Sequence, residues 1–117
     1  MSLTKDKILS AIDAKTESVE VPEWGGSILL RVMSGRQRNN YEFWAHAESN
    51  KKSPDFRGIR ERLIVACAID DHGKALFDEK DVDALSEKNS EVIDRLHKAC
   101  QKINGMDDGA VEEAAKN

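Results

Sequence analysis

The sequence predicts a mainly helical α+β fold, with about five helices and one N-terminal β-hairpin in a small single domain. Three observations carry that prediction. Ile59 to Ile69 begins as an amphipathic pattern and is apolar all round from Leu63 onward, which is the mark of a helix buried on every side. Two alternating apolar runs, Val19/Val21 and Ile28/Leu30/Val32, flank Gly25-Gly26 and read as a hairpin. Near the end, Val92, Ile93, Leu96, Ala99, Cys100 and Ile103 recur as one helical stripe.

In chain order, Thr4 is a plausible N-cap, and Ile8, Leu9 and Ile12 give residues 5–15 an amphipathic helical pattern. The hairpin spans about 17–33, pairing 17–22 with 27–33 around Pro22-Glu23-Trp24-Gly25-Gly26. A lone hairpin is marginal in water, so it must lie on helices or add to a neighbouring sheet. Ser34 followed three residues later by Gln37 is a capping box, opening a helix over 35–50. Lys51-Lys52-Ser53-Pro54 is a loop. The central helix follows over 55–69, with Asp55 in its first turn; its short apolar run also fits a strand.

Asp70-Asp71-His72-Gly73 breaks that element, with Gly73 available for a left-handed turn, and Lys74 to Phe77 form an extended link. Asp78 caps a helix over 78–87 that turns Val82 and Leu85 inward. Ser90 caps the last helix, 90–104, and Asn104-Gly105 ends it. The globular part is thus 1–104. Residues 105–117 hold almost nothing apolar to bury and are expected to be a mobile tail.

A chain of 117 residues supports one core. Its 39% hydrophobic and 34% charged content is that of a soluble protein. No run reaches the length of a membrane span, and the start lacks the apolar centre of a secretion signal. A cytoplasmic location follows as the expectation, and Cys67 and Cys100 on apolar faces read as reduced core thiols. The net charge of −4 speaks against a dedicated nucleic-acid binder. Charge is uneven: three basic and five acidic groups in 1–30, eight and four in 31–62, seven and thirteen in 63–117. Such a chain could pair head to tail with its own copies, or simply present solvated faces of unlike sign.

Catalytic and metal chemistry find little support. His46, His72 and His97 have no ligand spacing among themselves, and Glu42 with His46 makes two ligands, not a site. Asp70–Asp81 lacks the glycine and the ligand positions of a calcium loop, and Gly25-Gly26 lacks the lysine of a phosphate loop. Cys67 sits in the most apolar stretch, where desolvation disfavours a thiolate. Neither an enzyme nor a cofactor is expected. Among the aromatics, Tyr41 and Trp44 share a helical face and read as core. Trp24, in a turn, either closes the hairpin end or anchors an interface.

Together these residues resemble a family. Trp24-Gly25-Gly26 precedes Ile28 to Ser34 and an aromatic helix. The central Leu63 to Ala68 comes next, then Asp-x-x-Gly-x-x-Leu-Phe from Asp70 to Phe77, then Asp81-Val82 and Leu85. This order over about 17–104 is similar to that of the tail assembly chaperones of long, non-contractile-tailed, lambda-like bacteriophages. The resemblance implies a non-enzymatic protein that binds the tape measure protein, keeps it soluble, promotes tail tube assembly and is absent from the finished virion. It also implies a longer −1 frameshift product whose extra domain contacts the tail tube protein. Ala115-Lys116-Asn117 permits a slippery heptamer, A-AAA-AAC, although an ordinary polar C-terminus explains the same residues.

For such a client, the contact surface expected from the residues is Trp24, Leu29 and Met33, because one small domain has difficulty covering both hairpin faces. An open strand edge would allow self-association into rings or spirals. One alternative is a small helical DNA-binding or regulatory domain using Arg31, Arg36, Arg38, Arg57, Arg60 and Arg62. Another is a structural component of the mature tail.

Overall fold

The computed structural model describes residues 1–106; the expected mobile tail, apart from its first two residues, and the frameshift-compatible end lie outside the described residues. In chain order come α1 (Lys5–Ser10), β1 (Thr16–Val21), β2 (Gly26–Arg31), α2 (Gly35–Ser49), α3 (Ile59–Cys67), β3 (Ala68–Ile69), α4 (Val82–Ser86) and α5 (Ser90–Ile103). The strands form an antiparallel sheet in the order β1-β2-β3. Five helices and an N-terminal hairpin match the α+β class read from the sequence.

The hairpin pairs Val19 with Ile28 and Val21 with Gly26. Its turn is a 3-10 segment, Pro22–Trp24, and it reverses through Gly25 at φ 79°, a backbone that side chains other than glycine rarely adopt. Val21, Ile28 and Leu30 point into the core. Leu63, Ile64 and Cys67 of α3 meet Val92, Leu96 and Cys100 of α5, all fully covered. Helix α5 also lies across both hairpin strands. The capping box at Ser34 closes in both directions: Gln37 N–H donates to Ser34 Oγ at 3.2 Å and Ser34 N–H to Gln37 Oε1 at 2.8 Å.

The helix expected over 55–69 is shorter at both ends. Asp55 does not enter its first turn; its carboxylate takes the Arg57 guanidinium at 2.8 Å and the Arg57 N–H at 3.0 Å, which holds it down at about 2. Gly58 at φ 85° then sets the start. At the other end Ala68 turns extended, and Ala68–Ile69 pair with Leu30 and Leu29 as a third strand. Alignment beside β2 outweighs two further helical residues, so the hairpin gains the neighbour it needed.

Asp70 Oδ1 accepts from the N–H groups of His72 and Lys74, Gly73 reverses the chain at φ 79°, and Leu76 N–H returns to Ala68 O. Arg31 holds this loop through Gly73 O at 3.0 Å. The helix expected over 78–87 is a capped 3-10 turn, Glu79–Asp81, followed by α4. The N-cap of α5 is Asn89, whose side chain accepts from Glu91 N–H; Ser90 is already inside the helix.

The largest difference lies at the N-terminus. Thr4 Oγ1 accepts from Lys7 N–H as expected, but the helix stops at Ser10 and the chain is extended at Ala11. No residue of α1 is buried. The single helical face expected over 5–15 therefore does not form: Ile8 and Leu9 are on the short helix, Ile12 lies beyond it, and nothing is packed against any of the three.

Candidate partner-binding surfaces

Among the described residues no three His, Cys, Asp or Glu side chains gather as a metal site, and no helix is long and apolar enough to cross a membrane. Cys67 and Cys100 are buried, free thiols between α3 and α5. Hydrogen bonding to Cys67, together with burial, pushes the Cys100 thiol up. Hydrogen bonds from Cys100 and from Asn104 pull Cys67 down. Asn104 Nδ2 lies 3.3 Å from Cys67 Sγ and 2.8 Å from Cys100 O, while its Oδ1 accepts from Met33 N–H at 2.9 Å. One amide thus ties the end of α5 to α3 and to the end of the hairpin.

Of the three residues expected on the contact surface, Trp24 and Leu29 keep some exposure and Met33 does not. Trp24 is exposed at the hairpin tip. Beside it Glu23 takes a two-pronged bond from Arg95, at 2.6 and 2.8 Å, which pulls the carboxyl down to about 2 and fixes the tip against α5. Leu29 is half-buried on the sheet face away from the core cluster, directly opposite Ile69. Met33 is buried inside that cluster. Alternation fails for Met33 because β2 ends at Arg31 and the Asn104 bond turns the next residues inward.

Tyr41 and Trp44, both read as core, are half-buried; Tyr41 packs against the core cluster as expected, Trp44 does not, and α2 has no fully buried residue. They line a groove of about 450 Å³ between α2 and α3, with Phe43 at its border 76% exposed. Trp44 meets Phe56 edge-on at 6.3 Å, and the Arg62 guanidinium stacks over the Trp44 ring at 4.4 Å. Arg62 Nη1 also bonds Glu79 at 2.8 Å, yet Arg62 Nε is buried with no partner. Burial raises the Tyr41 hydroxyl above its ordinary value.

Sequence reasoning missed two features here. Ile8, Leu9 and Ile12 lie on the surface, Ile12 at 98%, and Phe43 stands beside the groove. Periodicity pointed to an apolar face in the first case; nothing in it says whether the same chain covers that face. The arginines of the DNA-binding alternative are largely occupied within the chain. Arg31 bonds Gly73, Arg38 bonds Glu42 and Asn104 O, Arg57 bonds Asp55, and Arg62 bonds Glu79. A groove-reading helix needs such side chains free.

A small α+β protein with apolar side chains left uncovered at its tip, arm and groove has the make-up of a protein-binding module. The model of the phage tail assembly chaperone family matches residues 4–117, and the chain belongs to that family. Its fold is similar to that in the solved structure of the bacteriophage HK97 tail assembly chaperone. The TM-score is 0.57 at 20% identity, over 84% of this chain and 90% of that one. No curated protein matches the chain. Membership points to tail proteins as partners and to a role in assembly, not catalysis.

Proposed function

We propose that this chaperone binds the tape measure protein in the host cytoplasm and keeps that long, helical, apolar client soluble until the tail tube forms around it. One observation carries the reading. On a chain that is 34% charged, Trp24, Phe43 and the arm residues Ile8, Leu9 and Ile12 stay uncovered. Exposed apolar groups rimmed by charge mark interaction sites. They suit modest, repeated contacts along a helical client, with the charged surround keeping the complex in solution.

Within this reading Trp24 and Leu29 belong to the client surface. Met33, being buried, holds the sheet beneath it. Copies of the chain associate into a ring or spiral along the client, and a longer −1 frameshift product carries the tail tube contact. The protein leaves before the virion is complete. Its edge strand β1 carries Glu17 and Glu20, and such charges discourage indiscriminate strand pairing.

Co-expression with the tape measure protein of the same genome, followed by size exclusion with light scattering, tests the proposal. The expected result is a soluble complex that needs this chain and weakens with Trp24→Ala. An insoluble client with this protein eluting alone would overturn it. Finding the chain in purified particles would instead support a structural tail component.

A further inference from the structure

Two uncovered apolar features of this chain have complementary needs. The arm before β1 presents Ile8, Leu9 and Ile12 to solvent and packs none of them. The α2–α3 groove presents Trp44 and Phe43 and holds, in Arg62 Nε, the one buried side-chain nitrogen without a hydrogen bond among the described residues. Among those residues the Arg62 guanidinium is bonded only through Nη1, to Glu79, so beyond its covered Nε the groove has room for a further acceptor as well as an apolar cover. The arm offers both. Asp13 follows Ile12 directly and makes no hydrogen bond or ion pair among the described residues. Lys5 and Lys7 carry the charge that suits Glu79, which lies exposed at the groove with only Oε1 bonded to Arg62.

We infer that the arm of one copy lies in the α2–α3 groove of a second copy, its apolar side chains against Phe43 and Trp44 and its Asp13 carboxylate accepting from the unbonded edge of the Arg62 guanidinium. The arm's own groove is close by, because Lys15 O accepts from Val32 N–H just before α2 begins. Tethered there, the arm still leaves that groove open and its own apolar side chains bare. A donor and an acceptor surface on the same chain make a head-to-tail contact, which adds copies until geometry closes a ring. This rests on the reading that copies self-associate, and supplies the surfaces that do it.

The test uses the full chain at several concentrations in size exclusion with light scattering. Ile8→Asp with Ile12→Asp disables the arm, and Phe43→Asp disables the groove. All three positions are exposed, so circular dichroism should remain that of the wild type. Multimeric wild-type protein, with either variant alone running as a single 13.1 kDa chain, is the expected result. An equimolar mixture of the two should give a two-chain species and nothing larger, since one arm and one groove remain.

An arm variant that keeps the wild-type mass overturns this inference while leaving self-association intact. A mixture that stays monomeric overturns the pairing of arm with groove. Wild-type protein that is monomeric throughout overturns both this and the self-association reading. If Phe43→Asp misfolds, Phe43→Ala serves as the acceptor variant, with association expected to weaken at least tenfold; unchanged association there also overturns the inference.

Discussion

The sequences of helix α5 and of the arm before β1 carry the same kind of apolar pattern, and only one is covered. On α5, Val92, Leu96 and Cys100 have no measurable exposure, because α3 and the hairpin lie over them. On the arm, Leu9 is 76% exposed and nothing lies over it. Periodicity therefore identifies a face, but the face's partner is a separate fact. In an assembly protein that partner can be another molecule.

The sharpest way to break the comparison is to truncate a leucine on each side of it. Leu96→Ala should lower unfolding stability in urea by about 2–5 kcal/mol, because a fully packed site leaves a cavity. Leu9→Ala should stay within about 0.5 kcal/mol, as exposed substitutions do. Equal effects would mean that the arm packs on its own chain in solution.

Asn104→Ala comes next. It leaves the Met33 N–H without its acceptor and removes the bonds to Cys67 and Cys100 O, so a loss of about 1–3 kcal/mol is expected. The same denaturation measurement checks it, and no change would show that solvent replaces the clamp freely.

Arg62 and Trp44 define a smaller effect on the uncovered side. A double-mutant cycle with Arg62→Ala and Trp44→Ala should give a coupling of about 0.5–1 kcal/mol, since the stacked pair is only partly shielded from water. Zero coupling would mean that the groove wall is not held by this contact.

The smallest difference is one of pH. Glu23 is held at about 2 in the folded chain against an ordinary 4.5, so folding favours its ionised form. Its contribution is complete above 4.5 and is lost as pH falls from there through about 2. Glu23→Gln should therefore be less stable than wild type at pH 7, with the gap closing by pH 2. A gap that persists in acid would assign the effect to packing at the hairpin tip.

Much of the fold was legible because local chemistry decided it. Thr4, Ser34 with Gln37, Asp78 and Gly73 each act within three or four residues, and each does what its neighbours dictate. What sequence reasoning missed depended on distance. Ala68 and Ile69 became a strand because Leu29 and Leu30, nearly forty residues earlier, lie beside them. Met33 turned inward because of Asn104, and Trp44 stayed at the surface because the groove beside it is open. Of the three contact residues expected, the hairpin turn was enough to bring out Trp24, whereas Met33 needed the tertiary clamp.

Helix α3 passes into β3 between Cys67 and Ala68 with no spacer residue. A single inserted residue at that junction would turn the helix by about 100° and send each β3 side chain to the opposite face. The junction thus fixes a phase between the helical core and the sheet. Length changes over evolution are expected to gather in Lys51–Pro54, where no such phase is kept, and to be absent at Cys67–Ala68.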